Sequence, residues 1–522
     1  MAQINVTNLT FYYEGSFDNI FEDVSFSIDT DWKLGFIGRN GKGKTTFLNL
    51  LLGKQEYIGT IHTSTIFDYF PYKVTKNNMD IPVVDFMDEW KVNCEQWRVI
   101  CELDKLGMDA EILYRPFGTL SHGERTKVML AVLFSGENDF LLIDEPTNHL
   151  DWMSREVIKK YLSEKKGFIL VSHDRDLLDA CVDHVLILNR ESIEVQAGNF
   201  SSWWENKSKK DAFSKGENEK HLKEITKLKQ AADRSVRWAD KNENTKIGFN
   251  PKKEPDRMIN ARSYIGAKTK KMQSRVKSYE MRMSREIEEK EGLLKDIESP
   301  VELKMMPLTH HKNILVSVKE YGLRYANTDK WLLENISFQI SSGERIFING
   351  TNGCGKSSLI QAILGHSIHK DFEENKLVQG ILQEQGYLET ATGLVISYIN
   401  QDTSFLKGSI KAFCKDNELS ESLFCALLRQ LGMERVQFEK NMEDYSEGQK
   451  KKILIGASLM TPAHLYIWDE PLNYIDVFSR MQIEKLLLTY KPTMLIVEHD
   501  VRFRQQIATK IIDCNCSGTE QI

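Results

Sequence analysis

Gly38-Arg39-Asn40-Gly41-Lys42-Gly43-Lys44-Thr45-Thr46 follows without a break from the apolar run Lys33-Leu34-Gly35-Phe36-Ile37, and this junction decides the fold. A short apolar run has the length of a buried strand. A glycine-rich loop of this spacing, entered from a strand, is a phosphate cradle. Its glycines let backbone N–H groups close around phosphates, Lys44 can reach the β and γ groups, and the Thr45 hydroxyl is placed for Mg2+. The N-terminus of the following helix adds its dipole. The junction therefore predicts an α/β domain with a mainly parallel sheet, flanked by helices, that binds nucleotide at the carboxyl ends of its strands.

Upstream, residues 4–11 and 24–28 alternate as strands do. Downstream, the apolar run Phe140-Leu141-Leu142-Ile143 ends in Asp144-Glu145. An Asp-Glu pair elsewhere would be ordinary surface charge. At a strand end beyond a phosphate loop, one carboxylate falls near the Mg2+ shell and the next can orient a water against the γ-phosphate, which makes Glu145 the first candidate general base. The same grammar then returns in Gly350-Thr351-Asn352-Gly353-Cys354-Gly355-Lys356-Ser357-Ser358 and in Leu465-Tyr466-Ile467-Trp468 followed by Asp469-Glu470. Tyr13 and Tyr325 each stand 25 residues before their loop, and Ser121 and Ser446 each stand 23 residues before their aspartate. The chain is a tandem duplication.

Between the halves, residues 205–298 hold 25 Lys+Arg against 17 Asp+Glu, a net of +8 in a chain whose total is −6. Basic character concentrated in one connector points to a polyanionic partner. Leu222, Ile225, Leu228, Ala232 and Val236, then Met272, Val276, Tyr279, Met283, Ile287, Leu294 and Ile297, recur at helical spacing. They predict two helices of about 35 residues in an antiparallel hairpin, a rod on the order of 50 Å. Gly248, Pro251 and Pro255 interrupt the pattern at a tip over 242–265. From 246 to 285 there are 12 basic and three acidic residues, with Phe249 and Tyr264 interleaved, the mixture that contacts phosphates and stacks on bases. A solvated spacer is the plainer alternative. The eight cysteines show no Cys-x-x-Cys pair, Cys514 and Cys516 lack a second pair for a metal, and no apolar run nears a membrane span. With no basic or hydrophobic leader at its start, the chain reads as cytosolic (cytoplasmic) and without a membrane part.

Leu120-Ser121-His122-Gly123-Glu124, Tyr445-Ser446-Glu447-Gly448-Gln449, His173 and His499 complete a motif order that resembles ABC-type ATPases. The resemblance covers nearly the whole chain. It implies two ABC nucleotide-binding domains, 1–204 and 299–522, paired head to tail within one monomer on two ATP molecules with Mg2+. It places Ser121 and Gly123 over the nucleotide of the second half and Ser446 and Gly448 over that of the first. It makes His173 and His499 switch histidines that contact the γ-phosphate, lets Glu145 and Glu470 each act beside a signature from the opposite half, stacks Tyr13 and Tyr325 on adenine, and assigns Thr45, Asp144, Ser357, Gln401 and Asp469 to the metal side. A core role for Tyr13 remains open.

Two such halves joined by a basic hairpin resemble the ABC-F family, whose members act on ribosomes. The stretches 145–151 and 172–175 are typical of it, and 468–476 is similar to the Lsa-type antibiotic resistance proteins of Gram-positive bacteria. What this implies is entry at the ribosomal exit site, the tip reaching toward the P-site tRNA and the peptidyl transferase centre to dislodge lincosamide, streptogramin A or pleuromutilin drugs. Lys246, Phe249, Lys252, Lys253, Arg257 and Arg262 would meet large-subunit rRNA and tRNA. With 76 residues between Lys44 and Ser121, the arm some members insert there is small or missing. Two departures make the sites unequal: Tyr72 follows Phe70-Pro71 where the family has Gln, while the second half keeps Gln401, and His122 replaces a signature glycine. A housekeeping translation factor, an exporter's ATPase subunit and a DNA-repair ATPase are the competing readings.

Overall fold

The computed structural model describes residues 3–13, 20–41, 43–92, 94–136, 139–148, 150–188, 193–244, 304–326, 331–367, 382–514 and 518–521, together with Lys277, Met281, Arg282 and Arg285. Lys42 and the tip residues Lys246, Phe249, Lys252, Lys253, Arg257 and Arg262 lie outside the described residues. The chain divides into two compact units, Met1–Trp203 with Pro300–Ile522, and Trp204–Ser299.

In the first unit each half builds the same pair of sheets. A three-stranded antiparallel sheet has Gln3–Phe11 between Phe21–Asp29 and Ile58–His62. The strand Gln3–Phe11 turns Ile4 and Val6, then Leu9 and Phe11, inward, with period two on either side of the register shift between Val6 and Leu9. A six-stranded sheet follows in the order Ile66–Phe70, Asp139–Asp144, Phe168–Val171, Lys33–Ile37, His184–Leu188 and Ile193–Ala197. All neighbours in it are parallel except the last pair. Phe140, Leu142, Ile143, Ile169, Leu170 and Phe36 are fully buried. Helices cover both faces of such a sheet, so its central strands read as unbroken apolar runs.

The second half repeats this with Ile314–Tyr325 between Trp331–Ser341 and Leu382–Thr390, and a six-stranded sheet in the order Ile396–Ile399, Leu465–Asp469, Met494–Val497, Arg345–Asn349, Lys510–Asp513 and Gly518–Gln521. Register makes the halves comparable residue by residue. Phe70 lies beside Ile143 and Ile399 beside Trp468, each one residue before the strand-end aspartate. Tyr69 therefore corresponds to Tyr398, and Tyr72 to Gln401.

Helix Phe200–Asn244 runs for 45 residues, longer than the sequence pattern suggested and beginning before residue 205. The earlier start has a local cause: the Asn199 side chain accepts from Ser202 N at 3.0 Å, satisfying a first-turn donor that would otherwise go unpaired. Within the first turn, Trp203 meets Phe478 of the second half edge-on at 6.1 Å. At 1.5 Å per residue the helix spans roughly 65 Å. Lys277, Met281, Arg282 and Arg285 are helical.

Candidate nucleotide sites

Each phosphate loop is held by its own lysine. Helix Lys44–Leu51 follows Gly43, whose φ of 101° and the 2.5 Å that a Cβ would leave to Ile20 Cγ2 exclude any other residue. Lys44 Nζ donates to Gly38 O at 2.7 Å, Arg39 O at 3.2 Å and Asn40 Oδ1 at 3.2 Å. Lys356 Nζ donates to Gly350 O at 2.9 Å and Thr351 O at 2.8 Å. Both ammonium groups are buried against loop carbonyls, and burial lowers the pKa of Lys44. Such a cationic concavity accepts a polyphosphate. Cys354 and Cys514 are free thiols joined by a hydrogen bond, which pulls the pKa of Cys354 down to about 6.

The candidate metal side combines a hydroxyl with a strand-end carboxylate. Thr45 Oγ1 donates to Asp144 Oδ2 at 3.2 Å, and Ser357 bonds to Asp469. Burial raises the pKa of both aspartates, that of Asp469 to about 6. Asp469 Oδ1 is buried and accepts no hydrogen bond among the described residues. A buried carboxylate oxygen with unused lone pairs beside a hydroxyl is the hard-oxygen donor set that Mg2+ takes.

Glu145 and Glu470 turn away from their strands in the left-handed region, at φ 52° and 47°, where side chains other than glycine carry strain. The turn is pinned because Glu145 N donates to Val171 O and Glu470 N to Val497 O, each at 2.9 Å. His173 Nε2 lies 3.2 Å from Glu145 Oε1, and His499 Nε2 lies 3.7 Å from Glu470 Oε1. Burial first, and the neighbouring Asp144 charge second, push Glu145 up to about 8. A carboxylate tuned toward neutrality is suited to take a proton from water. Burial drives His173 the other way, well below the usual histidine range, so it faces Glu145 as a neutral ring.

The two halves complete each other's sites. Asn40 Nδ2 donates to Tyr474 O of the second half at 2.7 Å. A Cβ on Gly448 would stand 2.6 Å from that same carbonyl and 3.3 Å from Asn40 Nδ2, so the second signature requires glycine where it meets the first loop. In the reverse direction, His122 joins Tyr325, Asn352, Lys356, Ser357, Gln401 and Glu470 around a cavity of about 370 Å³. The Asp151 carboxylate accepts from the backbone N–H of Asn352. Ser121 and Ser446 each cap a helix in a reciprocal box: Ser121 N donates to Glu124 Oε2 at 2.7 Å and Ser446 N to Gln449 Oε1 at 3.1 Å. The signature spacing Ser-x-x-Glu/Gln is thus a helix start aimed at the opposite loop.

The aromatic and glutamine positions behave less uniformly. Tyr13 and Tyr325 are about two-fifths exposed, and the Tyr13 hydroxyl lies 2.9 Å from Thr46 Oγ1. Gln401 Nε2 donates to Glu470 Oε2 at 2.9 Å. Tyr72 points elsewhere, its ring stacked on Trp90 at 5.2 Å and 4°, its hydroxyl donating to Asp68 Oδ2 at 2.7 Å.

Sequence reasoning missed several residues at the junction of the halves. Asp476 pairs with Lys452 at 2.8 Å, both buried, and that partner holds the aspartate well below the usual carboxylate range despite its burial. Arg480 pairs with Asp500 at 2.9 Å, and Arg175 forms a buried pair with Glu484 across the halves. A legible signal existed for part of this. Asp151, Asp174, Asp476 and Asp500 all cap helices, which the Asp before each helical run announces.

The family model described as ABC transporter matches residues 21–148 and 333–473, once in each half. The chain is 26% identical over 531 residues to the ribosome protection protein VmlR of Bacillus subtilis (strain 168), covering 99% of this chain and 88% of that protein. It is 27% identical over 492 residues to the erythromycin resistance ATP-binding protein MsrA of Staphylococcus epidermidis, covering 92% and 91%. Among solved structures, the archaeal ribosome recycling factor in complex with a ribosomal stalk protein shares the fold, with a TM-score of 0.58 at 17% identity over 97% of this chain and 87% of that one. Tandem loops, strand-end acid pairs and reciprocal signatures define an ATPase whose two halves share two ATP sites. The chain belongs to the ABC transporter family. No helix among the described residues is long and apolar enough to cross a membrane.

Proposed function

We propose that this ATPase binds the ribosome and protects its peptidyl transferase centre from antibiotics. The division of labour is residues 1–204 and 299–522 as ATP-driven clamp and residues 205–298 as the reaching element. The observation that carries the reading is the reciprocal closure at Asn40–Tyr474 and Asn352–Asp151, set beside a connector of net charge +8. ATP held between the halves favours the closed clamp, and a basic connector favours a phosphate-rich partner. Two relatives of near full-length coverage bear the names ribosome protection protein and erythromycin resistance ATP-binding protein, which supports the resistance reading.

In the mechanism, Lys44 and Lys356 leave their loop carbonyls for the β and γ phosphates. Glu145 and Glu470 orient a water and accept its proton, His173 and His499 stand beside that water, and Ser121, Gly123, Ser446 and Gly448 close over the γ-phosphate from the opposite half. Mg2+, held by Thr45 with Asp144 and by Ser357 with Asp469 and Gln401, would neutralise charge building on the phosphates. The tip residues Lys246, Phe249, Lys252, Lys253, Arg257 and Arg262 would contact large-subunit rRNA and P-site tRNA. The drugs implied are lincosamide, streptogramin A and pleuromutilin classes.

A housekeeping translation factor is the second reading, since another near full-length relative, the ATP-binding protein Uup of Buchnera aphidicola, 26% identical over 536 residues, bears a name with no resistance role in it. The test has two parts. The double variant Glu145→Gln, Glu470→Gln should co-sediment with ribosomes in ATP, and wild-type expression should raise resistance of a sensitive strain to one of the three drug classes. Sedimentation without protection would favour the housekeeping role. Failure to sediment would sink both readings.

A further inference from the structure

We propose that Tyr69 is a positioning residue of the first ATP site, its hydroxyl orienting the metal-side aspartate there while Gln401 serves the second site instead. The proposal rests on reading Thr45 and Asp144 as the metal side of that site. Tyr72 stands where a glutamine would, yet it is committed elsewhere. Its ring lies flat on Trp90, and its hydroxyl is given to Asp68, a carboxylate that Lys91 also holds at 3.1 Å. Tyr69, three residues earlier on the strand Ile66–Phe70, reaches inward. Its hydroxyl donates to Asp144 Oδ2 at 3.1 Å, the same oxygen that accepts from Thr45 Oγ1 at 3.2 Å. Two hydroxyls thus converge on one carboxylate oxygen, fixing the plane of the carboxyl group.

The second half has the same tyrosine and uses it differently. Tyr398 accepts from Gln361 Nε2 at 3.3 Å and donates to Asn400 Oδ1 at 3.4 Å, bonds confined to its own strand end and the loop helix. Asp469 keeps one oxygen without a hydrogen bond, and Gln401 connects to Glu470. The corresponding amide connection to Glu145 is missing from the first half, where Tyr72 takes its place. The first site is therefore built to keep its metal-side carboxylate fixed and to retain nucleotide. The second links its glutamine to the base and is built to turn it over.

The experiment uses the full chain and measures ATP retained after rapid desalting as a function of Mg2+ concentration. Tyr69→Phe keeps the ring and removes only the hydroxyl. Losing a hydrogen bond to a charged group should raise the Mg2+ midpoint for one of the two retained ATP molecules by about tenfold, and Tyr398→Phe should leave both midpoints in place. With Mn2+ replacing Mg2+, the paramagnetic resonance spectrum of the first-site ion should change in Tyr69→Phe alone. Unchanged midpoints and spectrum in Tyr69→Phe, or equal shifts in both variants, would overturn the proposal. Lys44→Ala separates this from its premise: it should cost one retained ATP, and if it costs none, the first site does not hold nucleotide and the reading beneath the proposal fails with it.

Discussion

The two ATP sites share their loops, their strand-end acids and their histidines, and they differ in how those parts are wired. In the second site Gln401 touches Glu470, and the histidine stands 3.7 Å from that base. In the first, Tyr72 is turned away onto Trp90, the histidine stands 3.2 Å from Glu145, and Tyr69 occupies Asp144. The partner contributions differ as well. A histidine, His122, borders the second site where the first has Glu447 in its signature. Duplication copied the phosphate loops, and divergence acted on the groups to which the proposed mechanism gives water and metal. Binding can thus be common to both sites while turnover is not.

The largest expected effect lies at the junction beside the first site. Lys452→Met should destabilise the protein by about 3–5 kcal/mol, because it leaves the buried Asp476 carboxylate unpaired. Its counterpart Lys127 is only half-buried and faces Asp151 without a close ion pair, so Lys127→Met should cost far less in a denaturant titration. The pH dependence has a definite sign. A carboxyl held below its unfolded value adds stability that is present above about pH 4 and is lost as pH falls toward the folded pKa. Without Lys452 the carboxyl titrates higher, so acid unfolding should begin at a higher pH. Equal losses for the two lysines would erase this part of the difference.

A smaller effect should come from the glutamine position. Gln401→Ala removes the amide that joins Glu470, and steady-state turnover should fall about a hundredfold, the usual cost of one well-placed donor. Tyr72→Ala should change turnover by less than about twofold, because its ring and hydroxyl are engaged with Trp90 and Asp68. Smaller still, Asn40→Ala deletes one hydrogen bond across the halves at 2.7 Å and should weaken nucleotide retention at the first site by about fivefold, or about 1 kcal/mol. Titration with a fluorescent ATP analogue would read it.

Much of this was legible in the sequence because the informative features are local. A loop such as Gly38 to Thr46 declares its own geometry, and Ser-x-x-Glu or Ser-x-x-Gln declares a capped helix wherever it occurs. Tyr72 could be seen to be an oddity, since Gln401 stood at the matching place. Where its ring would go could not be read, because Trp90 becomes its neighbour only through the fold. The same holds for Tyr69: two tyrosines at equivalent positions look alike until the structure gives one to Asp144 and the other to Asn400. Arg175 and Glu484 are 309 residues apart, and no pattern in either segment announces the other. The connecting helix begins ahead of the basic run for a simpler, local reason. Asn199 caps it before the charged pattern begins, so the basic run marked composition, while the cap marked the boundary.

The most direct test of the inequality is to remove one base at a time and follow ATP hydrolysis by the full chain at saturating ATP. Neutralising a general base costs about a hundredfold or more in the step it serves. Glu470→Gln should stop nearly all turnover while ATP remains bound, and Glu145→Gln should leave most of it. Equal losses in the two variants, or a greater loss in Glu145→Gln, would contradict the account.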